Sequence, residues 1–541
     1  MPPTQANAQK CPTIQSGVGK LAPWFFLRSE HDMLAAELAS TYDGAPSMSE
    51  NRPEVMEKIT SLCKRRGFVF QSSEIYGGIN GCYDYGPLGA ELKRNIKNFW
   101  WHWMTRCRDD VEPLEASILM HPRVWEASGH VGGFSDPMVD CRISKRRYRA
   151  DHIMVWRPLE GADIHPSYAF MEGTPDSPLK KMKKALRGKA PEELFELVPF
   201  SDLPDDARAT LIAPDADEPG SLTEPRAFNL MFKTFIGPVE SGANTVYLRP
   251  ETAQGSYVNF HNVANSARRR VPFGVAQIGK AFRNEINPRN YTFRTREFEQ
   301  MEMQFFVRPG TDSDWFEHWK ANRMEYYDAL GVNCEKLRYH PHGPNELAHY
   351  ARAAFDIEYL FPFGWQGLEG IHNRGEFDLT QHQEYSGKPL LYFDEETREK
   401  YLPTVIETAA GCDRTVLMVL CDAYDEEETK KGIRVVMRIP PKIAPIKAGI
   451  FPLVKRDGMP ERAKALYESL RREFRVIYEE SGSIGKRYWR QDEAGTPFCF
   501  TIDSETLENG TVTVRDRDAM DQERVAEDRV ADYLRDRTTI R

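Results

Sequence analysis

Apolar positions along the chain recur with two periods, one near 3.6 residues and one of 2, and their order lays out the elements. After Met48-Ser49-Glu50-Asn51-Arg52-Pro53, the residues Val55, Ile59, Leu62 and Cys63 recur at helical spacing, so the folded part of the chain is expected to begin near Met48. Gly86 to Arg108 reads as a long helix with Pro87 in its first turn, and Val111 to His121 reads as a strand ending at Pro122. The aromatic cluster Phe99, Trp100, Trp101 and Trp103 on that helix is expected at a subunit interface. From Phe293 the pattern alternates, which places Arg294, Arg296, Phe298, Gln300 and Glu302 on one strand face. A turn at Pro288-Arg289-Asn290 returns a strand carrying Arg283 and Glu285 antiparallel beside it. Arg414 opens an apolar helix through Thr415 to Leu420. After Pro440, strands and helices alternate (Ala448 to Val454, Arg462 to Phe474, Arg475 to Glu479), the pattern of a small α/β domain.

Between about Ser144 and Arg226 the texture changes. A Lys-rich helix from Pro178 to Lys189 is followed by a Pro/Asp-rich stretch from Asp202 to Pro225, so an inserted module is expected, its basic run a solvated face. The first 47 residues differ again. Their apolar stretch Leu21 to Leu27 is broken by Pro23 and followed by Arg28, unlike a secretory core, and the segment reads as a loose extension.

Composition narrows the function classes. A 40% hydrophobic and 28% charged chain of 541 residues has material for several cores and is neither fibrous nor mainly disordered. No apolar run approaches the ~18 residues of a membrane span, so no membrane association is expected. The net charge of −9 argues against a nonspecific DNA binder. The nine cysteines include no C-x-x-C pair, which disfavours a zinc ribbon or a disulfide framework and fits a reducing, cytoplasmic setting. His340, His342 and His349 lack metal-ligand spacing, and no metal is expected there.

The densest chemistry lies in the two strands flanking Pro288. Guanidinium groups, an aromatic ring and a carboxylate converge on one sheet surface, which can clamp triphosphate oxygens, stack a purine and hold an ammonium. A second element, Glu407-Thr408-Ala409-Ala410-Gly411-Cys412-Asp413-Arg414, brings Arg414 to a helix start where it can face a phosphate. A third, Tyr247 to Gly255, presents Glu251 beside a glycine turn.

Together these strings resemble the signature motifs of class II aminoacyl-tRNA synthetases, and specifically the glycyl-tRNA synthetase family of homodimeric type. Phe282, Arg283, Glu285, Arg294, Phe298 and Glu302 match motif 2, Gly411, Asp413 and Arg414 match motif 3, and Gly86 to Pro122 matches motif 1. The strings YLRPETAQG and REFEQMEMQFF, and Ser483 to Pro497, are also similar to the family, so the resemblance spans about Met48 to Arg541. It implies an α+β fold: an antiparallel catalytic sheet flanked by helices over 48–438, with the insertion at about 144–226, and an α/β anticodon-binding domain over 439–541. In that domain Tyr488 and Trp489 are either stacking aromatics or core, and Arg515, Arg517, Arg524 and Arg529 are the basic candidates for tRNA.

The implied reaction joins glycine to ATP, with Mg2+, and passes the glycyl group to tRNA(Gly). The implied ATP contacts are Arg283, Asn284 and Glu285; Phe293, Arg294, Thr295 and Arg296; Glu297 and Phe298; Gly367 and Leu368; and Gly411, Cys412, Asp413 and Arg414. Arg283 and Arg414 carry the chemistry, and Phe298 stacks on adenine. The implied glycine contacts are Arg149 and Glu251; Phe298, Glu299, Gln300, Met301 and Glu302; and Glu407, Thr408, Ala409, Ala410 and Gly411. Glu251, Glu302 and Glu407 surround the ammonium and exclude a larger side chain. Two positions depart from the family. Ala409 replaces a serine that would assist the ammonium, and Gly367 stands where Glu is common, with Glu369 as the substitute metal ligand. The competing readings are a synthetase-like RNA-binding module without catalysis and a class II enzyme for serine, threonine or proline.

Overall fold

In the computed structural model, residues 52–540 are described apart from 160, 162–163, 165, 172–176, 241, 344–345, 349 and 431. The expected extension over 1–47 lies outside the described residues, as does His349. Helix Arg52–Arg66 buries Ile59, Leu62 and Cys63 but leaves Val55 exposed.

A seven-stranded sheet carries the centre of the molecule. Its elements in chain order are α1 (Pro87–Thr105), β1 (Val111–Pro113), β2 (Phe273–Phe282), β3 (Glu297–Val307), α2 (Asp312–Leu330), β4 (Leu337–Pro341), β5 (Ala353–Phe361), β6 (Gly364–Gly375), β7 (Thr404–Gly411) and α3 (Cys412–Ala423). The sheet order is β4-β5-β6-β7-β3-β2-β1, antiparallel throughout except for the short β1 beside β2. Strand period decides the two faces. Met301, Met303 and Phe305 of β3, with Ile406 and Ala410 of β7, enter a core with Leu92 and Ile96 of α1, Trp319 and Tyr326 of α2, and Val416 and Leu420 of α3. Phe298, Gln300, Glu302 and Gln304 point the other way.

Two expectations change here. Phe99 and Trp100 are buried within the protomer, in the same core, because the 3.6 period of α1 turns them with Leu92 and Ile96 onto the sheet; they are not at an interface. Trp101 is half-buried, and Trp103 donates to Asn322 at 3.1 Å. The strand expected from Val111 to His121 stops at Pro113, and a helix Pro122–Ala127 follows.

The inserted territory forms two three-stranded sheets with their own cores around Val139, Ile153 and Leu211, and around Trp156, Phe170 and Met182. Its basic helix, Leu179–Leu186, buries Met182 and Leu186. Strand Ser135–Asp140 pairs with Arg226–Asn229, so the chain leaves and re-enters the central unit at one place.

Residues 448–538 build a separate five-stranded sheet. Ala448–Pro452 lies parallel to both Val476–Tyr478 and Phe498–Ile502, and Thr511–Asp516 and Gln522–Ala526 extend it antiparallel, as the mixed α/β pattern predicts. It has its own core, with Ile450, Leu466, Phe500 and Val514. Of its candidate arginines, Arg515 is bound to Asp492 at 2.9 Å, Arg517 to Asp518 at 2.7 Å, Arg524 to Asp503 at 2.8 Å and Arg529 to Asp532 at 2.9 Å. Tyr488 packs inward, its hydroxyl 2.7 Å from Thr501 Oγ1, whereas Trp489 is 39% exposed.

Candidate active site

Register across four strands assembles the site. Gln300 of β3 pairs with Gly279 and Gly411, Glu302 with Gln277 and Ala409, and Gln304 with Glu407. On the far side, Gly370 of β6 pairs with Ala409 and Asp356 of β5, and His372 pairs with Glu407. Whereas the space beside Gly279 is taken by the Arg249 guanidinium, short or absent side chains at Gly370, Ala409 and Gly411 border a depression on this face. It opens as a cavity of about 270 Å³ lined by Arg283, Arg294, Arg414, Phe298, Gln300 and His372, among others.

One end of the cavity is cationic. Arg283 lies between Phe134 and Phe298, its guanidinium carbon 5.3 and 5.4 Å from the two ring centres, and its Nε donates to Pro250 O at 3.1 Å. Arg414 is held by the carbonyls of Phe293 and Gly367, each at 3.0 Å, and stacks on the Phe293 ring at 4.3 Å. Arg294 faces Glu285 at 3.7 Å. Burial, then the neighbouring charges of Arg283 and Arg294, lower the Arg414 pKa to about 10. Three guanidiniums confined in this way raise one another's free energy, which an anion with several oxygens relieves.

Beyond Gln300 and His372 of the lining lies an acidic cluster, whose carboxyls are in different states. Glu407 accepts from Arg374 at 3.1 Å and from Gln304 at 2.8 Å, with His372 Nδ1 at 3.1 Å. Burial opposes its charge, but Arg374 and His372 outweigh burial and hold it well below the carboxylate range. Glu251 accepts from Gln254 at 2.8 Å and faces His130 at 3.4 Å. There too burial is outweighed, by His130 and then Arg374, and the pKa falls to about 2. Among the described residues Glu302 is in no ion pair, although the charge of Arg249 lies near enough to act on it. It accepts from Thr252 Oγ1 and, at 2.6 Å, from Gln304. Burial, and next Glu407 and Glu251, push its pKa well above the ordinary range, the opposite direction from its two neighbours.

Several expected site residues lie elsewhere. Met301 and Ala410 are in the core, and Thr408 is buried on that same face, since strand alternation turns all three away from the cavity. Cys412 is buried with them, and burial raises its thiol to about 12. Glu299 also points to the helix side, between Lys93 and Lys97, each at 2.9 Å. Asp413 accepts from Lys93 and Tyr85, each at 2.6 Å, and from Glu299 N at 2.7 Å, so its carboxylate fastens α3 to α1 and β3. Leu368 borders the cavity but buries its side chain in the core. Glu369 does not fit a metal: its carboxylate is on the helix side, bound by Arg323 at 2.7 Å and Tyr327 at 2.8 Å. Arg296 is not on the strand face, because β3 begins at Glu297; its Nε donates to Glu285 O at 2.9 Å and it also reaches Asn80 O. Glu297 is exposed against Lys280 at 2.7 Å, and Asn284 lines a neighbouring depression with Asp140 and Arg147. Arg149 is half-buried between Asp136 at 3.1 Å and Asp151 at 2.6 Å. The remaining expected residues, Arg283, Glu285, Phe293, Arg294, Thr295, Phe298, Gln300, Gly367, Ala409, Gly411 and Arg414, border the cavity. Glu251, Glu302 and Glu407 do not line it; they cluster beyond Gln300 and His372, with Gln304 donating to both Glu302 and Glu407.

Sequence reasoning missed His130, Thr252, Gln304, Asp356, His372 and Arg374. Gln304 was within reach of it, because it continues the period-2 row through Phe298, Gln300 and Glu302. The others depend on pairings between distant segments.

Residues 236–423 match the family described as tRNA synthetase class II core domain (G, H, P, S and T), and residues 447–537 match the one described as anticodon binding domain. A glycine–tRNA ligase of Treponema denticola is 52% identical over 476 residues, covering 87% of this chain and 94% of that protein. The chain belongs to the glycine–tRNA ligase family. The glycine–tRNA ligases of Chlorobaculum tepidum and Rhodopirellula baltica are 50% and 47% identical, covering 88% and 89% of this chain and 99% of each relative. Membership in this family makes the chain an aminoacyl-tRNA synthetase, with ATP as a substrate. No helix among the described residues is long and apolar enough to cross a membrane.

Proposed function

We propose that the cavity joins glycine to ATP and that the chain then passes the glycyl group to tRNA(Gly). The observation that carries this reading is the juxtaposition of three guanidiniums and an aromatic ring in the cavity with a neighbouring cluster of three carboxyls, Glu302 and Glu407 buried on the same sheet face and Glu251 12% exposed beside them. Arg283, Arg294 and Arg414 hold the triphosphate, and Phe298 stacks the adenine. Glu251, Glu302 and Glu407 receive the ammonium, which sets the glycine carboxylate toward the α-phosphorus. In-line attack needs little proton transfer; fixed positive charge stabilises the developing phosphorane-like charge. Mg2+ enters as part of the nucleotide substrate and offsets phosphate charge. A larger amino acid would press its side chain among charged carboxyls that already have partners.

Residues 448–538 take the anticodon, with the exposed Trp489 as a stacking surface. The catalytic unit then spans 48–438. The chain works as a homodimer in the cytoplasm. The exposed apolar residues Ile75 and Tyr76, at 89% and 87%, support the first statement. The second is supported by the eight cysteines among the described residues, none of which is in a disulfide. ATP–pyrophosphate exchange across the amino acids tests the central reading: exchange with glycine alone supports it, and exchange with none, or with serine, threonine or proline, overturns it.

The state of Glu302 sets a pH dependence. The free cluster holds a proton, and an arriving ammonium favours the ionised carboxylate. Glycine binding therefore releases a proton, and affinity rises with pH, up to about tenfold per unit, until the free cluster has lost its proton. Calorimetry in buffers of different ionisation enthalpy should show release of close to one proton. Proton uptake, or affinity flat from acid to neutral pH, would mean that Glu302 is already ionised.

A further inference from the structure

One row of residues crosses the site face from strand to strand: Gln277 of β2, Glu302 of β3, Ala409 of β7 and Gly370 of β6. The next row runs through Gln304, Glu407 and His372. Ala409 and Gly370 therefore lie between the arginine end of the cavity and Glu407. They would leave that passage open, but His372 does not stay in its own row. A Cβ built on Gly370 would stand 2.5 Å from His372 Cε1, so the imidazole folds back along β6 and takes the space that a side chain at 370 would fill. His372, Gly370 and Ala409 all border the cavity, with Gln300 on the β3 side.

The ring is backed from behind. His342 stands edge-on to it, with ring centres 6.1 Å apart and planes at 83°. Its Nδ1 is buried and 3.1 Å from Glu407 Oε2, but without the direction of a hydrogen bond. Glu407 also has Arg374 at 3.1 and 3.2 Å and Gln304 at 2.8 Å, so removing the imidazole leaves that carboxylate with a guanidinium and an amide. What the imidazole adds to the passage is volume.

We propose that His372 is a specificity-determining residue, whose imidazole occupies the space into which a substituent on the α-carbon of the amino acid would extend. The assignment rests on the glycine reading above. An amino acid with its carboxylate at Arg283 and its ammonium at Glu302 and Glu407 spans the row of Ala409 and Gly370, which sets its α-carbon beside the ring. Glycine presents only hydrogen there. A methyl or hydroxymethyl group meets a planar ring with another ring behind it, and a packed site accommodates added volume only by shifting its walls.

ATP–pyrophosphate exchange by the full-length protein, measured as kcat/KM with glycine and with L-alanine, tests this. In His372→Ala the preference for glycine over L-alanine should fall by about tenfold or more, with the alanine value itself rising. The preference is a ratio within one preparation, so a loss of folded protein cancels from it. His372→Leu keeps about the volume of the ring and loses both nitrogens, and it should retain the preference of the unaltered protein. An unchanged preference in His372→Ala overturns the assignment. So does an equal fall in both variants, which would make the nitrogens, and not the volume, responsible. If His372→Ala does not fold, His372→Ser removes similar volume with a polar side chain and reads the same ratio. If the unaltered protein shows no glycine-dependent exchange, the glycine reading falls and the assignment with it. A failure confined to the His372 variants leaves the glycine reading standing.

Discussion

Replacing Arg283 by alanine is expected to lower the rate of glycine-dependent ATP–pyrophosphate exchange by about 10²–10³-fold, with a much smaller change in ATP affinity. Arg283 is fixed before any substrate arrives, between the Phe134 and Phe298 rings and by the Pro250 carbonyl. A donor already aimed costs no reorganisation when charge develops on the α-phosphoryl oxygens, so its contribution appears mainly in the transition state. Arg414 and Arg294 remain to hold the outer phosphates, which is why ground-state binding should survive. Arg283→Lys tests geometry against charge. A lysine keeps the charge but loses the planar fork and the stacking between two rings, and should recover little of the rate. Near-normal exchange in the alanine variant would remove Arg283 from the reaction.

How far the site could be read from the sequence depended on whether a residue's orientation is local. The period of 2 along Phe298, Gln300 and Glu302 is a property of the strand itself, and the structure keeps it. The same rule extended back to Arg296 fails. Asn290 and Tyr291 adopt left-handed backbone, with φ of 59° and 58°, and lead into a short helical turn, Tyr291–Phe293, so the strand begins only at Glu297. Motif strings also carry both faces of a strand together. Glu299, Met301, Thr408 and Ala410 therefore stood beside the true lining residues until the position of the helix layer showed which face was core. The partners that set charge state were beyond local reading. Arg374 reaches Glu407 across the β6–β7 register, and His130 reaches Glu251 from a segment more than a hundred residues earlier. The fold class was more legible than the site, because strand and helix periods are local while the pairing of buried charges is not.

The joint between the catalytic and C-terminal sheets decides how anticodon binding should be tested. Asp492 on helix Ile484–Ala494 is fully buried and accepts from Arg515 at 2.9 and 3.1 Å, and from Arg434, on strand Gly432–Met437, at 2.9 Å. Arg434 also donates to Arg517 O at 2.6 Å, and Arg517 donates to Ile439 O and Gly495 O at 2.9 Å each. Next to Asp492, Glu493 binds Arg66 of the first helix at 2.6 Å. Deleting residues 439–541 would strip these partners from Arg434 and Arg66 and uncover the core around Met437, so a truncated protein is a poor probe of tRNA binding. Asp492→Ala should be strongly destabilising, by about 3–5 kcal/mol, because it strips the buried Arg515 of its acidic partner and leaves Arg434 with Glu427 alone, at 2.6 Å. Thermal unfolding followed by calorimetry should show the loss, either as one lowered transition or as a C-terminal transition separating from the catalytic one. Asp492→Asn keeps the shape and some hydrogen bonds and should recover part of the stability. A stability for Asp492→Ala within ±0.5 kcal/mol of the unaltered protein, the range usual for surface changes, would mean that the network does not join the two units. Substitution at the exposed Trp489 is the cleaner test of tRNA contact, since it leaves the buried joint whole. Trp489→Ala should reduce tRNA charging while glycine-dependent exchange stays as it was, and equal charging by the two proteins would take Trp489 out of recognition.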